Sequence, residues 1–146
     1  MRYFEDIELN QLRESREITL EKDQIINFAK EWDPQPFHID EVIASQWPLG
    51  LTASGVHTIA LSVKLSNELK TQELAVVAGL GWDEVRLPAP VRPGDRLRVK
   101  NYTIEKRESK SKPDRGIMRT KIEVWNQNNE IVLSYILSSL IMKRPL

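Results

Sequence analysis

The most informative part of the sequence is the segment Asp33–Asp40, which sets a carboxylate and an imidazole five residues apart across two prolines. Side chains five residues apart point about 140° away from each other on a helix and to opposite faces of a strand. Pro34 and Pro36 also exclude a continuous helix here. If Asp33 and His38 meet, a bent loop must bring them together. An acid held beside an imidazole can move protons to and from water, so the spacing suggests acid–base chemistry on a water molecule.

The composition predicts one globular domain, residues 1–146, with 40% hydrophobic and 29% charged residues. The 21 basic and 21 acidic residues cancel, which argues against nucleic-acid or anionic-membrane partners. The absence of cysteine excludes disulfides, thiolate metal sites and a cysteine nucleophile. Glu5 and Asp6 lie where the apolar run of a signal peptide would fall, and no apolar run is long enough to span a membrane. We therefore expect a cytoplasmic protein.

Helix signals surround the acid–imidazole segment. Thr19 is a candidate N-cap for a helix that the prolines end near Trp32, and a short helix capped by Asp40 is predicted over residues 40–46. A longer helical pattern runs from Ser54 to about Lys70. Its apolar stripe consists of Val56, Ile59, Ala60, Val63 and Leu65, widened by Leu61 and Leu69. A helix this apolar should be buried, and a sheet is the expected cover.

The second half of the chain predicts strands over residues 75–87, 96–108, 117–126 and 131–142. A change of phase near Asn101 predicts a bulge, and the last strand is apolar on both faces, so it should be central. Turn residues at 112–116 and 126–129 predict hairpins and therefore antiparallel pairing. The sum is an α+β fold in which a curved antiparallel sheet wraps one long helix, with a helical excursion before it. The edges of such a sheet favour pairing of two subunits.

Three segments resemble a known family. Asp33–Asp40 is similar to the Asp-x-Asn-Pro-(aliphatic)-His-x-Asp/Glu signature of MaoC-like dehydratases and (R)-specific enoyl-CoA hydratases. Leu51–Gly55 resembles that family's entry into its central helix, and Val91–Asp95 resembles its downstream turn into a strand. Together they cover most of the chain from Phe28 onward. The resemblance implies a hotdog fold, with a helical overhang before the central helix and usual assembly as a dimer or double hotdog.

The resemblance also implies an activity. Asp33 would be the catalytic carboxylate, His38 the catalytic imidazole, and Gly55 would supply a backbone N–H to the thioester carbonyl. The expected reaction adds water to a 2-enoyl-CoA, or removes it from a 3-hydroxyacyl-CoA, with no metal or other cofactor. The expected partners are an acyl-CoA or acyl-carrier-protein thioester and further copies of the chain, as a homodimer or higher even oligomer. Two histidines and scattered carboxylates make no convincing metal site.

The chain departs from the signature at three positions. Gln35 stands in place of asparagine, Phe37 in place of a smaller aliphatic residue, and Ser54 where many hydratases have histidine. Gln35 and Phe37 would reshape the pocket beside the reacting carbons. Ser54 is a candidate cap of the central helix. His57, one turn further on, could line the pocket, and packing or a supporting role is the favoured interpretation.

Other functions stay open at this stage. Some hotdog proteins are acyl-CoA thioesterases, which commonly carry an acid on the central helix or use a different His-Gly-Gly loop. The stretch from Ser54 to Asn67 has no acid. A non-catalytic module that binds acyl thioesters is the third possibility. The phosphates of coenzyme A call for nearby cations. Arg86, Arg92, Arg96 and the run 106–112 are the candidates, although the run is better interpreted as an ordinary hairpin surface.

Overall fold

The computed structural model describes residues 1–70 and 72–146. A 3₁₀ turn at Phe4–Asp6 precedes four α-helices: α1 (Lys22–Trp32), α2 (Pro36–Ile39), α3 (Glu41–Ala44) and α4 (Gly55–Glu68). The described strands are β1 (Arg13–Glu14), β2 (Ile18–Thr19), β3 (Val76–Arg86), β4 (Arg96–Glu108), β5 (Arg115–Trp125) and β6 (Ile131–Met142). Within the described residues, no helix has the length and apolar character needed to span a membrane.

Helix α1 ends where the prolines predict but does not begin at Thr19. Thr19 belongs to β2, where it pairs with Arg96 of β4, so it cannot cap the helix. Glu21 is the N-cap instead, and its N–H donates to the side-chain carbonyl of Gln24 at 2.9 Å. The predicted end at Trp32 is confirmed. This places Asp33 directly after the last turn of α1.

The segment after the first proline contains a helical turn that the pattern did not predict. Pro36 begins α2, a position where its missing N–H costs no hydrogen bond, and His38 lies within this turn. Asp40 caps α3 as predicted, and its carboxylate accepts from the N–H of Ile43 at 2.9 Å. The overhang before the central helix is therefore two single turns that join at Asp40.

The described strands form one antiparallel sheet with the order β1-β4-β5-β6-β3, and β2 also pairs with β4. Strand β6 lies between β5 and β3, which confirms its predicted central position. The irregularity predicted near Asn101 lies slightly further on, between Thr103 and Glu105. Strand β3 is left at one edge of the sheet.

Helix α4 packs against β4, β5 and β6. The core between them includes Leu65, Leu97, Val99, Val124 and Leu133. This is the predicted α+β hotdog arrangement, a long helix wrapped by a curved antiparallel sheet.

The predicted inward face of α4 is correct only in part: Leu65 is buried and Ile59 and Leu61 pack against the core, but the rest of the buried face differs. Its buried residues are His57, Thr58, Ser62 and Leu65, whereas Val56 and Val63 remain 54% and 41% exposed. The hydroxyl of Ser62 hydrogen-bonds that of Tyr135 on β6 at 2.7 Å. Because this bond satisfies both hydroxyls inside the core, a small polar residue can face the sheet where an apolar stripe was expected.

Candidate active site

His38 is buried and held by the loop that leads into α4. Its Nδ1 lies 2.5 Å from the carbonyl oxygen of Thr52. A carbonyl only accepts, so Nδ1 carries the proton and Nε2 of the neutral imidazole keeps its lone pair. Nε2 lies 3.6 Å from Oδ2 of Asp33. The nitrogen that keeps its lone pair therefore points toward the carboxylate.

Asp33 bends the chain back toward the histidine. Its N–H donates to the carbonyl of Ala29 at the end of α1, and its own carbonyl accepts from Gln35 at 2.8 Å. Its side chain is 29% exposed, so solvent reaches the carboxylate. The 3.6 Å separation from His38 Nε2 is too long for a direct hydrogen bond. A water molecule placed beside both atoms could bond to each of them.

Ser54 connects the carboxylate to the central helix. Its buried hydroxyl donates to Oδ2 of Asp33 at 2.6 Å and accepts from the N–H of Val56 at 3.3 Å. The second contact makes Ser54 the N-cap of α4, as predicted. The first was not predicted, because no local pattern links residues 21 positions apart. One side chain thus fixes both the acid and the start of the helix.

Gly55 is the first residue of α4. Its backbone N–H has no partner within the helix and lies at the positive end of the helix dipole. The side chain of Leu87 lies over it, because a β-carbon built on Gly55 would be 2.7 Å from Leu87 Cδ1. A glycine here leaves room for Leu87 above the helix terminus. The N–H is the natural donor for an oxygen atom that approaches this end of the helix.

The loop before α4 connects the Asp33–Asp40 segment to the Val91–Asp95 turn through backbone hydrogen bonds. Residues 51–54 are all buried. The N–H of Thr52 donates to Phe37 at 3.4 Å, and that of Ala53 donates to Val91 at 2.9 Å. The three segments singled out from the sequence are therefore in contact, and together they form one site.

The sequence matches the family model described as "MaoC like domain" over residues 6–126. The chain belongs to the MaoC-like family. The resemblance seen in the sequence is thereby confirmed.

Three relatives illustrate the family. A crystal structure of the MaoC-like dehydratase from Rhodospirillum rubrum is 36% identical, covers both chains completely and has a TM-score of 0.87. The uncharacterized protein YdeM of Bacillus subtilis is 30% identical over 95% of this chain and 98% of its own length. The 3-hydroxyacyl-thioester dehydratase Z of Mycobacterium tuberculosis is 28% identical over 73% of each chain.

The remaining predicted site residues of this MaoC-like protein lie around the pair. Gln35 is exposed, and its carbonyl accepts from the N–H of His38 at 2.9 Å. Phe37 is half-buried, with its ring at an angle of 61° to that of His38 and 4.4 Å between the centroids. The buried His57 stacks on Phe28 at 4.2 Å, and burial lowers the pKa of His57. The neutral ring of His57 thus packs against α1.

The candidate cations lie in different parts of the MaoC-like domain. Arg92 is exposed next to the buried Val91 turn, and its guanidinium donates to the carbonyl of Leu49. Arg96 pairs with Glu17 at 3.0 Å. Lys106 donates to the carbonyl of Ile7 at 2.8 Å, on the N-terminal 3₁₀ side of the sheet. Of these three, Arg92 is the cation that adjoins the loop of the site.

Proposed function

We propose that this MaoC-like protein is a hydratase or dehydratase that interconverts a 2-enoyl thioester and a 3-hydroxyacyl thioester. The observation that carries the proposal is the convergence of Asp33 Oδ2 and His38 Nε2, 3.6 Å apart, beside the N-terminus of α4. The family membership and the dehydratase names of two relatives support the same reaction class.

In the proposed hydration step, Asp33 and His38 hold one water molecule between them. His38 Nε2 takes a proton from the water as its oxygen bonds to the β-carbon of the enoyl group. The resulting imidazolium is stabilised by the Asp33 carboxylate and then delivers that proton to the α-carbon on the same face. Dehydration is the reverse. The proposal uses these side chains alone and includes no cofactor.

Between the two proton transfers, negative charge develops on the thioester oxygen. We assign its stabilisation to the N–H of Gly55 at the positive end of α4. A preorganised donor of this kind typically lowers the barrier by about 3 kcal/mol. The proposed substrate is an acyl-CoA or acyl-carrier-protein thioester, with Arg92 as the candidate contact for its phosphate, and the proposed location is the cytoplasm.

The thioesterase alternative commonly places a carboxylate on the central helix near the thioester. The acid on α4 is Glu68, at the opposite end of the helix from Gly55. It forms a salt bridge with Arg16, with 2.7 Å between Arg16 Nε and Glu68 Oε2. This arrangement favours the hydratase over a thioesterase.

A direct assay separates the possibilities. Purified protein is incubated with crotonyl-CoA, and the enoyl absorbance and free thiol are followed in parallel. The proposal predicts loss of absorbance without thiol release. Thiol release would instead support a thioesterase, and inactivity on a panel of chain lengths would support a non-catalytic binding module.

We also propose that two copies pair through β3. Every residue of this edge strand is exposed except Val85, which is intermediate. Its exposed large apolar residues include Val77, Leu80 and Trp82, which are 45%, 52% and 47% exposed. An unpaired apolar edge of this length is usually covered by another strand, and a second β3 would extend the sheet across a homodimer.

A further inference from the structure

A buried carboxylate lies in the 91–95 turn before β4, and the proposed reaction does not use it. Asp95 is only 9% exposed, and its Oδ2 accepts from the backbone N–H of Arg92 at 2.9 Å. Its Oδ1 accepts from the side-chain amide of Gln127 at 2.9 Å. Buried carboxylates are rare unless they are paired or hydrogen-bonded. These two bonds make Asp95 the centre of a polar cluster that joins the 91–95 turn to the β5–β6 hairpin.

The backbone of Asp95 is held as firmly as its side chain. Its N–H donates to the carbonyl of Arg92 at 3.1 Å, and its carbonyl accepts from the N–H of the buried Leu20 at 2.9 Å. The N–H of Gly94 donates to the carbonyl of Leu20 at 2.8 Å. The turn is therefore fixed against the segment that leads into α1, and the carboxylate has a defined position from which it orients its neighbours.

The hydrogen bonds of the cluster require one carboxylate and one amide. The side-chain oxygen of Gln127 accepts from the backbone N–H of Arg96 at 2.9 Å, so three N–H donors meet three oxygen acceptors. The donors at the two ends, Arg92 and Arg96, are backbone N–H groups that cannot become acceptors. If both side chains were amides, one N–H group would have to face another, whichever way the amides were turned.

The same turn supports the loop before α4. Val91 is buried, and its carbonyl accepts from the N–H of Ala53 at 2.9 Å. Both residues belong to the buried core. Ala53 lies between Thr52 and Ser54, the two residues whose hydrogen bonds hold the acid–base pair. A shift of the turn would therefore move both supports of the pair.

We infer that Asp95 and Gln127 are a positioning pair for the candidate active site. Their carboxylate–amide bond fixes the 91–95 turn, and the turn places the loop 51–54 that holds Asp33 and His38. Both residues act through the loop rather than on the substrate. The kinetic consequence rests on the proposed hydratase function, whereas the effect on His38 does not.

The first test exchanges the two groups. Asp95→Asn leaves two amides facing each other and should lower kcat for the hydration of crotonyl-CoA about tenfold to a hundredfold, because small displacements of catalytic groups are costly. Adding Gln127→Glu returns one carboxylate to the cluster, now on the hairpin side, and donors and acceptors balance again. The kcat of this double variant should lie within about threefold of the wild-type value. Wild-type kcat in Asp95→Asn, or a double variant no faster than Asp95→Asn, would overturn the inference.

Glu130→Gln is the matched control, because it makes the same change from carboxylate to amide in the same hairpin. Glu130 accepts from the side-chain amide of Asn126 at 3.1 Å, and the oxygen of a glutamine can accept that bond. This variant should keep the wild-type kcat. A loss as large as that of Asp95→Asn would mean that activity responds to any charge change in the hairpin, against the inference.

NMR of the imidazole rings in the free protein separates positioning from a general loss of stability. The chain has two histidines, so comparison with His57→Phe assigns the ring signals of His38. In Asp95→Asn the Nδ1–H signal of His38 should shift and exchange faster with water, because the Thr52 carbonyl that accepts this proton is no longer held in place. The double variant should restore the signal.

An unchanged His38 signal in a slow Asp95→Asn would show that the loss of activity does not pass through the loop, and the inference would fall. The NMR comparison needs no substrate. If the wild-type protein does not hydrate crotonyl-CoA, the proposed function fails while the effect on His38 is still measured, so the two failures are distinguishable.

Discussion

The hydroxyl of Ser54 donates to Oδ2 of Asp33 at 2.6 Å, and this is the same oxygen that lies 3.6 Å from His38 Nε2. Ser54 is also the N-cap of α4, whose first helical residue is Gly55. One buried serine therefore positions the carboxylate relative to both the imidazole and the helix N-terminus. Ser54 thus fixes the positions of the proposed acid–base pair and of the proposed oxyanion donor relative to each other.

Replacing Ser54 by alanine should affect stability and activity together. Loss of an N-cap costs about 1 kcal/mol of unfolding free energy. The freed carboxylate can turn away from His38, so kcat for hydration should fall about tenfold to a hundredfold. Denaturant unfolding and steady-state kinetics measure the two effects. Ser45→Ala is the control, since the exposed Ser45 hydroxyl donates to the carbonyl of Val42, away from the site. Full kcat in folded Ser54→Ala would show that the hydrogen bond to Asp33 has no catalytic role.

Two substitutions at Gly55 separate its N–H from its lack of a side chain. Proline is well tolerated at the first helical position, and Ser54 has a ψ of 140° that suits a following proline. Gly55→Pro removes the N–H, whereas Gly55→Ala adds a β-carbon but keeps it. The exposed tip of Leu87 can move aside in both.

If the N–H stabilises the thioester oxygen, kcat of the proline variant should lie about a hundredfold below that of the alanine variant. Steady-state kinetics on crotonyl-CoA make the comparison. Equal kcat values in two folded variants would exclude the N–H of Gly55 as the donor.

The stability of the protein should depend on pH through His57. Burial lowers the pKa of His57 in the folded state, so the unfolded chain binds a proton more readily. The free energy of unfolding should therefore fall as the pH falls through the unfolded pKa of about 6.5 toward the lower folded value.

His57→Phe keeps the aromatic stack on Phe28 and removes the titration. Melting curves at about pH 7.5 and about pH 5.5 should show a smaller loss of stability in the variant than in the wild type. An identical loss in the two proteins would mean that burial of His57 has no effect on stability in this range.

A charged residue on the edge strand should prevent pairing of two copies. Leu80→Lys places an ammonium group in the exposed apolar face of β3, a device that blocks edge-to-edge contact. Sedimentation should show a dimer for the wild type and a monomer for this variant. Leu12→Lys, at an exposed leucine outside β3, is the control and should stay dimeric. A dimeric Leu80→Lys would place the interface elsewhere.

Much of the fold follows from local pattern. The end of α1, the cap at Asp40, the start of α4 at Ser54 and the central place of β6 were all predicted, since prolines, caps and alternation act over a few residues. The inward face of α4 was predicted only in part, because hydrophobicity alone does not show that Ser62 finds a partner in Tyr135 on a distant strand.

The candidate site likewise has features that local sequence predicts and contacts that only the tertiary fold creates. Spacing alone indicated that only a bend could join Asp33 to His38, and the structure brings them together. The contacts that hold them are the carbonyl of Thr52 behind His38 and the hydroxyl of Ser54 on Asp33, which join segments 14 and 21 positions apart. Such contacts arise from the tertiary fold, and a single sequence contains no periodic signal for them.

The most direct measurement is kcat for the hydration of crotonyl-CoA by Asp33→Asn. Asparagine keeps the shape of the side chain but cannot hold the imidazolium by charge, so kcat should fall by about 10²–10⁴. Asp40→Asn is the matched control in the same motif, because asparagine caps a helix as well as aspartate does. The account predicts near-normal kcat for Asp40→Asn and a near-inactive Asp33→Asn with an unchanged melting curve. A folded Asp33→Asn that hydrates crotonyl-CoA at the wild-type rate would contradict it.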